Sequence, residues 1–257
     1  MLEKGIGLLL AVGDHPEGAG VSELARNTGL AVSTVHRLLG TLVSLGFVRL
    51  EEGSRRYTLG LGVFELAHRV SLARGLSEVA LPVMRRLVKA TGEPSLLAVA
   101  DGPEIVYVER IEGWRRIQIR GSVGERGPIY CTSLGKALLA FMPEEEREDL
   151  LNQIEFERLA PNTITDRSRL REELELTRER GYAVADEERE EDVRAVGVPV
   201  LGPRGGPVAS LCLAVPVFRV AREELEEYVP MLREAATEIG VQLPRGNVVE
   251  AARPKEG

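Results

Sequence analysis

Apolar positions at Leu2, Ile6, Leu9 and Leu10 recur at helical spacing, and Gly13 and Pro16 bound the helix they predict. A second helix is expected from Ser22 as N-cap, with Val21, Leu24, Ala25 and Thr28 turned inward and Gly29 ending it. After a short turn at Leu30 and Ala31, a third helix runs to Gly46. Val35, Leu38, Leu39 and Leu42 form its buried stripe. Its other face carries Ser33, Arg37, Thr41 and Ser44, with Thr34 and His36 beside it. The period then shortens to that of strands, at 47–50 and 56–59, around a turn at 51–55. Two short helices, a tight turn and a third helix with a small-polar and arginine face match a helix-turn-helix, whose last helix enters the major groove. The hairpin after it reads as a wing, with Arg55 and Arg56 at its tip for phosphate or minor-groove contact. The competing reading is a small helical domain whose arginines are merely solvated. Agreement between helix-turn-helix and wing favours DNA, with Ser33, Thr34, His36, Arg37, Thr41, Arg55 and Arg56 as contacts, although His36 also suits an ordinary surface histidine.

Beyond residue 60 the pattern changes. A helix over 61–74 has apolar residues on more than one side (Val63, Phe64, Leu66, Ala67, Val70), as in helices that bury a second face against a partner chain. Another follows over 77–91, with Pro82 a kink. Strands are expected at 95–100, 105–111 and 117–121, and a helix at 133–141. Acidic amphipathic helices occupy 144–153 and 167–180, the second started by Thr165-Asp166 and stopped by Gly181. Strands at 182–185, 193–201 and 208–215 come next, the last two joined through the turn at 202–206. A long helix over 222–241, with Pro230 inside it, closes the fold, and the tail from Pro244 reads as loose. Hairpin connections make this a mixed, largely antiparallel sheet flanked by helices, so the whole chain is α+β. Four segments result: 1–60, a linker helix at 61–75, a second domain at 76–243 and a tail at 244–257.

Charge sharpens the division. The net charge is −7, yet residues 1–75 balance at +1 and residues 76–257 at −8. A near-neutral segment still binds DNA if its arginines share one face, because phosphates respond to the local field. No apolar run approaches the roughly 18 residues of a membrane span. The start at Met1-Leu2-Glu3-Lys4 has no signal-peptide pattern, so a cytoplasmic location and no membrane partner are expected. Two cysteines, Cys131 and Cys212, build neither a disulfide framework nor a four-thiolate zinc site.

Several separated motifs then agree in order and spacing. Residues 21–45 and the wing, Thr132-Ser133-Leu134-Gly135-Lys136-Ala137-Leu138-Leu139-Ala140, Thr163-Ile164-Thr165-Asp166, Arg180-Gly181-Tyr182-Ala183, Asp186-Glu187-Glu188 and the final strand pair resemble a regulator of the IclR family over nearly the whole chain. The resemblance implies a winged helix-turn-helix, a linker helix and a GAF-like effector domain. It also implies homodimers, often paired into tetramers, acting as repressors or activators controlled by a small molecule, commonly an organic acid; two recognition helices of such a dimer in successive major grooves would read near-palindromic DNA.

The effector site it implies comprises Pro128, Cys131, Ser133, Leu134, Ala185, Ala195, Cys212 and Ala214. Free N–H groups and the positive dipole end at the start of the 133–141 helix suit a carboxylate. Without the resemblance, that segment reads equally well as an ordinary helix start packed under the sheet. Some members present an acidic residue, a cysteine and two hydroxyls where this chain has Ala185, Ala195, Cys212 and Ala214. Those losses predict an effector less polar than glyoxylate or pyruvate, aromatic or aliphatic with one acid group, or else a pocket that has lost its ligand.

Catalysis finds little support. His15, His36 and His68 all precede residue 76, so the second domain lacks an imidazole for a nucleophile pair or a metal. Gly121, Gly124 and Gly127 form no dinucleotide fingerprint and no P-loop is present, so neither cofactor nor metal is expected. The acidic runs at 144–146 and 186–192 read as solvated surface. An effector-gated transcription factor therefore leads, ahead of a ligand-independent DNA binder and, last, an enzyme.

Overall fold

The computed structural model describes residues 1–51, 53–69, 71–115, 119 and 121–243. The chain forms two compact units, Met1–Ser71 and Leu72–Gly257, whose boundary falls inside the expected linker.

In the first unit α1 (Leu2–Gly13), α2 (Val21–Thr28) and α3 (Val32–Ser44) enclose a core of Leu8, Val12, Leu24, Val35 and Leu39, closed by Val48 and Tyr57 of the hairpin. The expected stripe of α1 is displaced: Leu8 and Val12 are buried, whereas Leu2, Ile6 and Leu10 are exposed. Helix α2 starts one residue before Ser22, with Gly20 as N-cap and its N–H donated to Glu23 Oε2 at 3.4 Å. Ser22 lies inside the first turn because that glutamate supplies the reciprocal cap. Gly29, left-handed at φ 66°, turns the chain from α2 into α3. Strands β1 (Val48–Glu51) and β2 (Arg56–Leu59) pair antiparallel, Val48 opposite Leu59 and Glu51 opposite Arg56. Helix α4 (Leu61–Arg69) leaves Leu61, Phe64 and Leu66 exposed.

The second unit opens with α5 (Ser71–Thr91), which begins six residues earlier than expected and continues through Pro82. Six strands follow: β3 (Ser95–Asp101), β4 (Glu104–Ile111), β5 (Arg126–Pro128), β6 (Ala183–Asp186), β7 (Val193–Leu201) and β8 (Pro207–Pro216). Their order is β5-β4-β3-β8-β7-β6 and every pairing is antiparallel. The strand expected at 117–121 falls largely outside the described residues, and Ile119 and Gly121 are in no strand. The edge is taken by β5, to which the pattern assigns no strand, with Gly127 opposite Ile105.

Alternation along the strands splits the core. Leu97, Val196, Val198, Leu211, Leu213 and Val215 face α5 and α9 (Val229–Gln242). Leu96, Ala98, Cys212 and Ala214 face α6 (Ser133–Phe141), which is covered by α7 (Glu144–Gln153) and α8 (Arg167–Arg180). Residues 133–140 of α6 are all buried, as a helix between a sheet and a helical layer must be. The expected closing helix is two elements, a 3-10 segment at Glu223–Tyr228 and then α9. Pro230 sits in the first turn of α9, where its missing N–H costs nothing. Residues 244–257, the expected tail, lie outside the described residues. Among the described residues no helix is long and apolar enough to cross a membrane.

Candidate functional site

Two constellations carry chemistry, one in each unit. On α3, Ser33, His36, Arg37, Thr41 and Ser44 are exposed and Thr34 is half-buried, while Val35 and Leu39 are fully buried. The three-to-four spacing thus leaves one polar face in solvent. Thr41 Oγ1 donates to the Arg37 carbonyl at 3.2 Å and Ser44 Oγ to the Thr41 carbonyl at 2.8 Å, so these hydroxyls rest on their own helix. Arg37 Nη2 lies 3.4 Å from Met1 Sδ, a contact too weak to compete with a phosphate or a base edge.

The wing arginines differ. Arg55 is exposed at the hairpin turn with a left-handed φ of 53°. Arg56 is committed to the fold: its Nε donates to the Gly18 carbonyl at 2.8 Å, and its Nη2 lies 3.5 Å from Glu23 Oε2. Both arginines are exposed, and the sequence pattern does not separate them, because the tie of Arg56 to Gly18 and Glu23 is a contact between residues distant in sequence.

In the second unit the start of α6 meets the sheet at a cavity of about 50 Å³. Cys131, Ser133, Leu134, Ala185, Ala195, Cys212 and Ala214 all line it, together with Leu96, Tyr107, Ile119 and residues 188–190. Seven of the eight expected effector positions thereby converge. Pro128 does not: it pairs with Glu104 in β5 and borders a separate surface groove with Tyr130 and Glu157.

Thr132 caps α6, its Oγ1 accepting the Gly135 N–H at 2.9 Å, while the Lys136 N–H bonds the Thr132 carbonyl at 2.9 Å. The Ser133 and Leu134 N–H groups precede the first intrahelical bond, and both residues line the cavity. Gly135 makes this possible, for a Cβ there would stand 2.0 Å from the Ile129 carbonyl oxygen. Burial pushes the Cys131 and Cys212 thiols up to about 12, so neither is a nucleophile at neutral pH.

The rim consists of residues the expectation omitted. Segment 187–192 is bracketed by Glu187 and Asp192, both left-handed at φ 52° and 61°. Thr163 Oγ1 donates to the Glu188 carbonyl at 2.6 Å, and Asn162 Nδ2 to the Asp186 carbonyl at 3.0 Å, which fixes the segment over the cavity. Arg189 Nη1 donates to the Tyr107 hydroxyl, Nη2 to Glu125 Oε1 at 3.2 Å, and the guanidinium lies 5.3 Å from the Tyr107 ring centre. Burial raises the Tyr107 phenol above its ordinary pKa, against the lowering effect of Arg189. Buried Lys136 Nζ lies 2.6 Å from Glu188 Oε1 and 3.5 Å from Glu173 Oε1. Desolvation raises the Glu188 carboxyl above its usual range, opposed by Lys136. The cavity therefore joins an apolar floor to a charged rim. Arg189 was concealed within an acidic run that reads as solvated surface.

No group of three or more metal-ligating side chains assembles among the described residues. Residues 68–241 match the model of the bacterial transcriptional regulator IclR C-terminal domain, and residues 1–52 match that of the IclR helix-turn-helix domain. The chain belongs to the IclR family. This IclR-family transcriptional regulator thus has a helix-turn-helix DNA-binding domain and a C-terminal effector-binding domain. It is 36% identical over 240 residues to the HTH-type transcriptional regulator KdgR of Escherichia coli, covering 93% of this chain and 91% of KdgR. The Thermotoga maritima IclR structure aligns with TM-score 0.80 and 34% identity, over 94% of this chain and 98% of that one. An IclR homolog from Microbacterium hydrocarbonoxydans, complexed with 4-hydroxybenzoate, aligns with TM-score 0.82 and 30% identity, over 95% and 99%.

Proposed function

We propose that this IclR-family regulator is a cytoplasmic, non-enzymatic homodimer, able to pair into tetramers, that reads a near-palindromic operator and releases or grips it according to a small organic acid in the cavity. Two α3 helices entering successive major grooves sit roughly 34 Å apart, and a dimer provides that spacing. The exposed apolar residues of α4 (Leu61, Leu66) and α1 (Leu2, Ile6, Leu10) support a partner-covered face. Ser33, Thr34, His36, Arg37 and Thr41 are assigned to the major groove and Arg55 to the backbone. Arg56 is assigned chiefly to bracing the wing.

The observation that carries the effector reading is the convergence of the α6 start, the apolar floor and Arg189 on one cavity. The acid group is assigned to the Ser133 and Leu134 N–H groups, with Arg189 leaving Tyr107 or Glu125 to join it. Cys131, Ala185, Ala195, Cys212 and Ala214 form the floor for an aromatic or aliphatic body. A volume of about 50 Å³ holds a few waters, so a larger ligand requires the 187–192 rim to move outward. The ligand changes operator affinity only by as much as it prefers one arrangement of the protein over another. The 4-hydroxybenzoate bound to the Microbacterium homolog supports this ligand class. Calorimetric titration with pyruvate and with benzoate tests it: benzoate is expected to bind more tightly, and equal affinity would overturn the assignment.

A further inference from the structure

Resting on the oligomeric reading above, we infer that Trp114 and Phe218 form the centre of the face through which two dimers pair, and that what covers it is the same face of a second copy. Among the described residues of the second unit these are the only exposed aromatic side chains, Trp114 at 68% and Phe218 at 80%. One follows β4 and the other follows β8, and a single carboxylate draws them together. Glu93, just beyond α5, is fully buried. Its Oε1 takes Arg115 Nη1 at 3.2 Å and its Oε2 takes Arg219 Nη1 at 2.7 Å. Each guanidinium lies against its neighbour's ring, 5.1 Å from the centre of Trp114 and 5.9 Å from that of Phe218. The two rings therefore flank one carboxylate and make one patch. The Trp114 ring also closes on Gly92, where a Cβ would stand 2.8 Å from it. The tryptophan is held in place and still exposed.

Tryptophan and arginine fixed at the centre of a patch are the residue types on which association energy concentrates. Charge selects a second copy as the occupant. Arg115 and Arg219 share one carboxylate, which leaves a positive charge over. Beside them the 3-10 segment carries exposed Glu224 and Glu227, and Glu93, Arg115, Glu227 and Glu224 all act on the Tyr228 hydroxyl. A face with both signs around apolar rings complements itself. A two-fold axis through the rings lays the arginines of one copy against the glutamates of the other. A partner of one charge sign would meet like charge on one side of the rings.

Sedimentation equilibrium of the full-length protein over a wide concentration range tests this. The wild type is expected to pass from dimer to tetramer as concentration rises. Phe218→Asp and Trp114→Ala should each raise the tetramer dissociation constant by at least about thirtyfold, and Glu227→Arg by about tenfold. Dimer mass, melting temperature and DNA affinity per dimer should stay at wild-type values. Leu176→Asp, which alters an exposed apolar residue of α8 instead, should leave the tetramer intact. Tetramers that persist in both Phe218→Asp and Trp114→Ala, or that dissociate equally in Leu176→Asp, would overturn the assignment of this face. A wild type that never exceeds a dimer would instead remove the pairing into tetramers, and this inference with it.

Discussion

Lys136 Nζ donates to Glu188 Oε1 across 2.6 Å, with the two side chains only 1% and 9% exposed. The bond joins the helix whose first turn borders the cavity to the segment that forms the cavity's rim. Removing one partner leaves the other charged and buried. Lys136→Met should therefore cost about 3–5 kcal/mol, and Lys136→Met combined with Glu188→Leu should recover much of it. Denaturant midpoints of the two variants measure the difference.

The same pair sets a pH dependence. The Glu188 carboxyl is raised in the folded protein, first by desolvation, with Lys136 opposing. A carboxyl with its folded pKa above the unfolded value contributes stability that is complete below the unfolded value, and that is lost as pH rises through the folded one. Without Lys136 the opposition disappears and the loss grows. Melting temperatures across pH 4 to 8 should show the Lys136→Met penalty smaller at the acid end than at neutral pH.

Arg37 and Arg55 should separate on DNA. Arg37→Ala is expected to weaken a specific operator by about 1–3 kcal/mol with little effect on random DNA. Arg55→Ala should weaken both alike and flatten the salt slope by about one. Arg56→Ala should lower the melting temperature of the first unit as well as DNA affinity, because it removes the tie to Gly18. Gel-shift titrations at several salt concentrations, beside melting curves, check all three.

Cys131 and Cys212 are buried free thiols with pKa pushed up to about 12. At pH 8 the thiolate fraction is on the order of one in ten thousand, before access is considered. Ellman's reagent should detect almost no thiol in the native protein and both after denaturation.

Two glycines should respond in opposite directions. Gly135→Ala brings a methyl 2.0 Å from the Ile129 carbonyl oxygen, and should cost on the order of 3 kcal/mol while displacing the start of α6. Gly7→Ala, in a helix with nothing within 4 Å, should add about 0.5–1 kcal/mol. Chemical denaturation of both variants gives the comparison.

Periodicity made much of this architecture legible. The bounds of α6, α7, α8 and β7 follow from it, because Gly181, Asp166 and the apolar runs mark those ends sharply. It misplaced the exposed face of α1, where Leu2, Ile6 and Leu10 satisfy helical spacing but lie exposed while Leu8 and Val12 face the core. It missed β5, three residues long, whose pairing with β4 is a tertiary event without a local signature. In the cavity, seven floor and helix positions were readable through the family motifs. The rim was not, since Glu188 and Arg189 owe their roles to Lys136, Thr163, Tyr107 and Glu125, which are distant in sequence.

Fluorescence anisotropy of a DNA fragment from the gene's own upstream region, titrated with the protein at fixed salt, with and without the tightest-binding acid, tests the central claim most directly. The account predicts binding well above random DNA and an acid-dependent change in affinity of about 5- to 150-fold. An affinity no greater than for random DNA, or one unmoved by an acid that saturates the cavity, would contradict it.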